Sequence, residues 1–221
     1  MFHVEQYELL EKIIVEEFKL QDQNILERFV MFHDNLLEWN QRTNLISKKD
    51  ERRVVVRHFL ESLGLVRALD IPLRSRVIDL GSGAGFPGIP LTIIRPDLEM
   101  ILVESRRKKV LFLQETVRVL DLQTVRVELG RIEDLQDSIS PVHFVLSRAV
   151  ADVCTLVRWS YPYIAATSGC LVAFKGSEAQ MEMKDLEKEA PRLGIRGVRC
   201  ISFDPFPGLF PLHERYLVLV G

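Results

Sequence analysis

Cysteine is scarce in this chain of 221 residues. The three cysteines, Cys154, Cys170 and Cys200, are odd in number, widely spaced and without a CxxC pair. That pattern argues against a disulfide framework and against a metal site built from cysteines. We therefore expect no bound metal, and we expect a reducing compartment, the cytoplasm, as the location of the protein.

Long apolar runs and a dominant charge are also missing. Hydrophobic residues make up 47% of the sequence, yet no apolar run approaches the roughly 20 residues that a membrane-spanning helix requires. The first residues, MFHVEQYELLEK, include early acids and lack the basic start and cleavage site of a secretory signal. The net charge of −2 provides no overall attraction for a polyanion. The composition predicts a soluble globular protein without a membrane partner.

The most informative segment reads VIDLGSGAGFPG and covers residues 77–88. Its apolar start predicts a buried parallel strand, and Gly81, Gly83 and Gly85 allow a sharp turn beneath a ligand. A side chain at these glycines would fill the space in which an adenosine lies against the backbone. Asp79, at the end of the strand, is placed either to contact the cationic amino group of a ligand or to hold the amides of the loop.

The next two predicted strands add the rest of an adenosine site. The segment EMILVES ends in Glu104, about 20 residues after the glycines, where an acid accepts hydrogen bonds from both ribose hydroxyls. The third strand, 125–129, is followed by GRIED. There Ile132 is expected to pack on the face of an adenine, and Glu133 or a backbone amide to read its amino edge. These residues do not determine what the adenosine is attached to.

Two adenosine cofactors therefore have to be compared. A dinucleotide such as NAD would place its pyrophosphate at the N-terminus of the first helix. S-adenosylmethionine has no phosphate and carries a positive sulfonium. Asp79 before the glycines and the bulky Phe86 inside the turn favour S-adenosylmethionine. A Rossmann-like domain without any bound nucleoside is the remaining interpretation.

The periodicity of the chain predicts an α/β protein. Residues 4–40 and 50–69 are predicted to be helical, with a turn at Trp39–Asn44. After residue 72 strands and helices alternate, with strands at about 76–80, 100–104, 125–129, 143–147, 170–174, 197–203 and 214–220 and helices at about 88–95, 106–120, 152–164 and 178–193. Such repeats require right-handed crossovers and a doubly wound, mostly parallel sheet. We divide the chain into an N-terminal helical extension, 1–72, packed on a Rossmann-like domain, 73–221.

Two cations follow later strands. The fourth strand ends at Arg148 and the fifth at Lys175, so both are expected at the crevice where a methyl acceptor would lie. An arginine cannot act as a base, but it can clamp a carboxylate, a phosphate or the O6 and N7 edge of a guanine. A simple ion pair at the end of a strand is the alternative for Arg148.

Two sequence features by which other classes of methyltransferase hold or activate their acceptor are missing after the fourth strand. The chain has no NPPY-type segment there, and Cys154 lies inside the following helix rather than at a nucleophile position. An acceptor that owns a free lone pair, such as N7 of guanine, needs neither device. Its methylation requires proximity and alignment, which can supply about 7–11 kcal/mol.

Basic residues are clustered although the net charge is small. The first cluster comprises Arg42, Lys48, Lys49, Arg52, Arg53 and Arg57, and the second is Arg106–Lys109. Phosphate contacts at either cluster would make binding steeply dependent on salt. The alternative is a solvated helix face, which we favour for the second cluster.

Together these motifs resemble the RsmG family, also called glucose-inhibited division protein B. The resemblance rests on Trp39-Asn40, Asn44-Leu45, Arg57-His58, Glu61-Ser62, 79–88, Lys108-Lys109, Phe112-Leu113, Gly130-Arg131, Glu133, 147–149 and Lys175-Gly176. It implies a class I S-adenosylmethionine-dependent methyltransferase with a seven-stranded sheet that methylates N7 of a guanine in the 530 loop of 16S ribosomal RNA. Glu61 stands where the family usually has aspartate, and the C-terminus lacks the basic residues that often end the family.

The motifs and the resemblance give three sets of site residues. The cofactor-binding set is Asp79, Gly81, Gly83, Phe86, Glu104, Ile132, Glu133 and Arg148, and Arg148 is also the catalytic residue. The RNA-binding set is Arg52, Arg53, Arg57, His58 and Lys175, with a structural role as the alternative for His58. The implied partner is 16S ribosomal RNA or the small ribosomal subunit, and we expect a monomer. A small-molecule methyltransferase and a non-enzymatic S-adenosylmethionine-binding regulator are the competing functions.

Overall fold

A computed structural model describes residues 2–195, 197–207 and 215–221 of the protein. The N-terminal region contains α1 (Phe2–Glu16), α2 (Gln23–Thr43), α3 (Lys48–Glu51), a π-helical segment (Val55–Leu60) and α4 (Glu61–Ala68). Across these described residues, no helix has the length and apolar character to cross a membrane, and no group of His, Cys, Asp and Glu is placed to hold a metal ion.

The rest of the chain alternates between strands and helices. The strands are β1 (Arg76–Leu80), β2 (Glu99–Glu104), β3 (Val125–Leu129), β4 (Phe144–Arg148), β5 (Cys170–Lys175), β6 (Val198–Ser202) and β7 (Tyr216–Val220). The helices are α5 (Gly88–Ile94), α6 (Arg107–Val119), α7 (Val153–Ile164) and α8 (Ala179–Leu193), with short 3-10 turns at Ile132–Asp134 and Ala165–Thr167. The predicted elements of this region are present, with bounds that differ by a residue or two. The predicted start of the last strand, residue 214, lies outside the described residues.

The seven strands form one sheet in the order β3-β2-β1-β4-β5-β7-β6. The first five are parallel, and Ile78 of β1 lies opposite both Ile101 of β2 and Val145 of β4. β7 runs antiparallel to β5 and β6 at the other edge. The order of the chain reverses between β1 and β4, and ligands of such sheets bind beyond the carboxyl ends of the strands at this point. The predicted doubly wound, mostly parallel sheet is confirmed.

Alternate residues of the strands are buried on opposite faces of the sheet. Val77 and Leu102 belong to one apolar cluster, which also contains residues of the N-terminal helices, α5 and α6. Ile78 and Val103 belong to the other, which contains residues of α7 and α8. Because both faces are covered, the strands read as nearly continuous apolar runs in the sequence.

Aromatic contacts join the N-terminal helices to the sheet region in one core. The ring of Phe32 in α2 lies 5.5 Å from that of Phe59, 5.3 Å from that of Phe86 and 6.5 Å from that of Phe112, measured between centroids. Residues before and after position 72 therefore share buried surface. The division of the chain at residue 72 stays a prediction.

The predicted turn at Trp39–Asn44 is wrong. α2 continues to Thr43, and Asn44 ends it in the left-handed conformation, with a φ of 50°. The reason lies in the buried side chain of Asn40, which accepts a hydrogen bond from the amide of Ile46 at 2.9 Å and donates one to its carbonyl at 3.1 Å. Asn40, one of the polar residues in the predicted turn, thus holds the connection that follows the helix in place.

The predicted single helix over residues 50–69 is also wrong. The chain forms α3, which Ser47 caps, then the π-helical segment and then α4. Within the π-helical segment three consecutive residues, His58, Phe59 and Leu60, are buried. Burial of three neighbours exceeds the stripe that an ordinary amphipathic helix presents to a core, and π-type turns commonly occur at functional sites.

The packing of α4 predicts a large effect of a small substitution. A Cβ added at Gly64 would lie 2.0 Å from Cβ of Pro205, which a rigid proline ring cannot avoid. We expect Gly64→Ala to lower the free energy of unfolding by about 1–3 kcal/mol, the usual cost of overpacking. The urea midpoint measures this. Gly197→Ala is the control, since that Cβ would meet no described atom within 4 Å. Equal midpoints for the two variants would contradict this packing.

Candidate cofactor and acceptor site

The glycine-rich loop between β1 and α5 has the conformation that its sequence predicts. Gly81, Gly83 and Gly85 have φ values of 72°, 57° and 83°, which a side chain would strain. A Cβ at Gly85 would lie 2.5 Å from the side chain of Ile89, so this glycine permits close packing of the helix rather than space for a ligand. A Cβ at Gly83 would lie 3.7 Å from the carbonyl oxygen of Gly81 and 3.8 Å from Nζ of Lys109, so there is space above this residue.

Asp79 is fully buried beneath this loop. Its Oδ2 accepts a hydrogen bond from the amide of Gly88 at 3.0 Å, which anchors the first turn of α5. Its Oδ1 is buried and has no hydrogen-bond partner among the described residues. Burial raises the pKa of Asp79 to about 7. The carboxylate thus lacks a full counter-charge, and the cationic end of S-adenosylmethionine would supply one.

Glu104 connects the end of β2 to the glycine-rich loop. Its Oε2 accepts a hydrogen bond from the amide of Gly83 at 3.1 Å, and its Oε1 accepts one from the amide of Arg106 at 2.8 Å. Each carboxylate oxygen has a second lone pair, so the group can still accept hydrogen bonds from two ribose hydroxyls. The buried position fixes the carboxylate where the sequence predicts the ribose.

A pocket of about 200 Å³ lies at the carboxyl ends of β1, β2 and β3. It brings together four of the predicted cofactor-binding residues, Gly81, Glu104, Ile132 and Glu133. The hydroxyl of Tyr163 donates a hydrogen bond to the carbonyl of Ile132 and holds the 3-10 turn in place. A larger cleft, of about 330 Å³, lies at the amino ends of the same three strands, where parallel sheets do not bind their ligands.

Two residues that line this pocket lie outside all of the sequence motifs described above. Val150 and Trp159 line it from the loop after β4 and from α7. The side chain of Val150 packs against the glycine-rich loop, because a Cβ added at Gly81 would lie only 2.5 Å from its Cγ2. Its position directly after the Ser-Arg-Ala segment was an available signal, whereas Trp159 follows no local motif and reaches the pocket only through packing.

Arg148 lies at the end of β4 in a cluster of buried groups. Its Nη1 is 2.9 Å from Oε2 of Glu61, and its Nη2 is 2.6 Å from Nδ1 of His58. The guanidinium carbon lies 5.3 Å from the ring centroid of Phe86. Only 16% of the side-chain surface is exposed. The ion pair, which was the alternative for Arg148, is therefore present at the end of β4, and a role at an acceptor crevice stays a prediction.

Glu61 is shared by two arginines. Besides Arg148, Nε of Arg215 approaches its Oε1 at 3.3 Å. Arg215 precedes β7 and belongs to the C-terminal segment in which the sequence interpretation noted a lack of basic residues. The structure thus adds this arginine to the cluster.

His58 is held neutral in this cluster. Burial, followed by the positive charges of Arg148, Arg57 and Arg215, lowers its pKa to about 2. Its ring stacks on Phe86, with centroids 4.7 Å apart and planes at 17°. Because Nδ1 accepts a hydrogen bond from Arg148, we assign the proton to Nε2. A buried neutral imidazole fits the structural alternative for His58.

The predicted RNA-binding residues are not all at the surface. Arg52 and Arg53 are exposed, and Arg57 is partly exposed at 3.7 Å from a carboxylate oxygen of Asp50. Lys175 has 8% of its side chain exposed and lies 2.8 Å from an oxygen of Glu182. The structure therefore does not place Lys175 or His58 on an accessible basic surface with Arg52 and Arg53.

The second basic cluster lies beside the pocket. Arg106, Arg107 and Lys108 are exposed, and Nζ of Lys109 lies near Gly83. Within the described part of the chain, no carboxylate forms an ion pair with these four side chains. Their charge remains available beside this pocket.

Comparison with known proteins agrees with this geometry. Residues 25–204 match the family model GidB, described as rRNA small subunit methyltransferase G. The chain belongs to this family. It is 37% identical over 174 residues to ribosomal RNA small subunit methyltransferase G of Alkaliphilus oremlandii, covering 77% of this chain and 72% of that protein. It is 44% identical over 190 residues to the protein of that name from Roseiflexus castenholzii, covering 82% and 76%.

Solved structures show the same fold at low sequence identity. Fibrillarin from Aeropyrum pernix, solved with S-adenosyl-L-methionine, has a TM-score of 0.55 at 16% identity and covers 74% of this chain and 76% of its own. A TehB-like methyltransferase from Corynebacterium glutamicum has a TM-score of 0.57 at 14% identity, covering 85% and 97%. The predicted family, Rossmann-like fold class, methyltransferase activity and S-adenosylmethionine cofactor are confirmed.

The position of Glu104 predicts a strong effect on cofactor binding. Glu104→Ala removes the acceptor for the ribose hydroxyls, and hydrogen bonds to a charged group contribute about 1.5–3 kcal/mol each. We expect the dissociation constant of S-adenosylmethionine to rise by at least about ten-fold in calorimetric titration. Glu99→Ala, at the opposite end of the same strand, is the control and leaves affinity unchanged. An unchanged affinity in Glu104→Ala would show that the ribose lies elsewhere.

The raised pKa of Asp79 predicts pH-dependent cofactor binding. Below pH 7 the carboxyl group is protonated and offers no charge to a ligand cation. Affinity for S-adenosylmethionine should therefore fall as the pH is lowered from 7.5 to 6, approaching about ten-fold per pH unit. Asp79→Asn keeps the shape of the side chain and should bind weakly and without this dependence. If the affinity of the wild-type protein is constant between pH 7.5 and 6, Asp79 does not contact the cationic end of the cofactor.

Proposed function

We propose that this protein transfers a methyl group from S-adenosylmethionine to N7 of a guanine in the 530 loop of 16S ribosomal RNA. Membership of the family makes it a methyltransferase of small-subunit ribosomal RNA. The observation that carries the finer proposal is the position of Arg148, a cation with unused donors at the switch point of the sheet. Glu61, the carboxylate in contact with it, is paired with two arginines.

Methylation at N7 requires no base. S-adenosylmethionine supplies the activated methyl group. N7 uses its own lone pair to form the new bond while the bond from the methyl carbon to sulfur breaks, and no proton has to leave. The pKa of His58, lowered to about 2, makes it a poor proton acceptor. Arg148 stays protonated and cannot accept a proton. Alignment is then the principal contribution of the protein.

Arg148 is suited to hold the guanine by O6. The lone pair of N7 must stay free to attack, so a donor on N7 would block the reaction. An arginine reaches O6 from the same edge of the base. The bonds to Glu61 and His58 use only two of the five N–H donors of the guanidinium, which leaves others for an acceptor.

The basic residues before the π-helical segment provide a docking surface for the RNA backbone. Arg52 and Arg53 are exposed, and His58, five residues after Arg53, lies in the Arg148 cluster. Phosphates bound there would place a nucleotide near the acceptor crevice. N7 of a paired guanine lies in the deep, narrow groove of A-form RNA, so the target must be unpaired or turned outward. We propose that the protein acts as a monomer in the cytoplasm, where small subunits are available.

Mapping of the methyl group tests this function. Labelled S-adenosylmethionine is incubated with small subunits from cells that lack this protein, with free 16S RNA and with a small-molecule panel. Borohydride and aniline then cleave the RNA at 7-methylguanine. We expect one cut, in the 530 loop, and a comparison of the two RNA substrates shows which one is used. Label only in a small molecule, or cuts elsewhere, would contradict the proposal.

The role of Arg148 is tested by a conservative substitution. Arg148→Lys keeps the charge that Glu61 requires but lacks the planar fork, and a misplacement of about 1 Å can cost about 100-fold in rate. We expect kcat to fall by that order with little change in the unfolding midpoint. Arg148→Ala is less suitable, because it leaves the buried Glu61 with Arg215 alone. Arg158→Lys, at an exposed ion pair, is the control. Normal activity of Arg148→Lys would show that the reaction does not require the planar guanidinium group.

A further inference from the structure

Lys175 and Glu182 form a second, largely buried ion pair next to the site. Nζ of Lys175 lies 2.8 Å from Oε2 of Glu182, and the two side chains are 8% and 17% exposed. Lys175 ends β5 and Glu182 lies in α8. A buried pair of this kind has to offset the loss of hydration of both charges, so its additional hydrogen bonds matter.

Those additional bonds all go to the segment that follows Arg148. Nζ of Lys175 donates to the carbonyl of Ala151 at 2.6 Å. Oε2 of Glu182 accepts a hydrogen bond from the amide of Val153 at 2.7 Å, at the start of α7. Both members of the pair thus hold the backbone of one short connection, residues 149–153.

This connection borders the pocket at the carboxyl ends of β1, β2 and β3 through one residue, Val150. Ala149 has a φ of 57°, a conformation that costs energy for a residue with a side chain and needs support from its surroundings. The next residue, Val150, lines the pocket and leans over Gly81. Arg148 directly precedes the connection. A shift of its backbone would therefore move the pocket wall and the guanidinium together.

We propose that Lys175 and Glu182 are positioning residues that hold residues 149–153 against the cofactor loop, and that Lys175 acts through this connection and not on the RNA. The proposal rests on the proposed function only for its effect on methyl transfer. Its effect on cofactor binding is independent of the RNA.

The test compares the two partners of the pair. We expect Lys175→Met and Glu182→Gln each to raise the dissociation constant of S-adenosylmethionine, measured without RNA, by about ten-fold. The double variant should be no weaker than the weaker single variant, because both act through one contact. Lys175→Arg should recover part of the affinity. Lys188→Met, which removes an exposed ion pair with Asp185 on the same helix, is the control and should bind normally.

RNA binding separates positioning from direct contact. Binding of 16S RNA to Lys175→Met, titrated with salt, should keep the wild-type affinity and slope. Loss of one phosphate contact would instead lower the slope by about 0.7–0.9. Weaker RNA binding with the smaller slope, together with normal cofactor affinity, would overturn the proposal.

A folding control covers the cost of an unpaired buried charge. Lys175→Met leaves Glu182 without its partner, which is strongly destabilising for buried pairs. The double variant, Lys175→Met with Glu182→Gln, contains no such charge. If only this double variant folds, its affinity for S-adenosylmethionine tests the proposal. An affinity equal to that of the wild-type protein would overturn the proposal, and a ten-fold loss would support it.

Discussion

The buried ion pair between Arg148 and Glu61 is the interaction on which the site depends. A guanidinium and a carboxylate removed from water are stable only when each has its partner in good geometry. Glu61 lies in the N-terminal helices and Arg148 at the end of β4, so the pair requires both regions to be in place. The N-terminal helices therefore contribute a charged partner to the Arg148 cluster.

The surroundings of this pair also determine the chemistry of its neighbours. His58 lies among three arginines in a buried position, which keeps it neutral and makes it a hydrogen-bond acceptor for Arg148. Asp79, buried without a cation bonded to it, has its pKa raised instead. The same region thus contains an imidazole, His58, that stays neutral at neutral pH and a carboxyl group, Asp79, whose pKa is close to neutral pH. The first suits a reaction without proton removal, and the second suits a cationic ligand.

Local patterns predicted the sheet region well and the N-terminal helices less well. β1 and β2 are short apolar runs bounded by glycine, proline or charged residues, and the sequence placed them within a residue of their observed bounds. The break around Val55–Leu60 had no comparable signal, since its residues also suit an ordinary helix. Its π-helical conformation depends on contacts of His58 and Phe59 with Phe86, which lies far along the chain. Asn40 likewise extended α2 through bonds to residues beyond the helix.

The sequence by itself determined the fold class and the family. It also brought the residues of the proposed cofactor pocket together, because strand ends in an open parallel sheet meet at one edge whatever the details of packing. Gly81, Glu104 and Ile132 could be placed beside one another on that ground alone. The tertiary structure decided the partners of the charged residues. Lys175 is paired with Glu182 inside the protein, and Arg215 joins Glu61 from the far end of the chain. Such choices depend on burial and on distances between segments that are remote in sequence, and no spacing or composition encodes them.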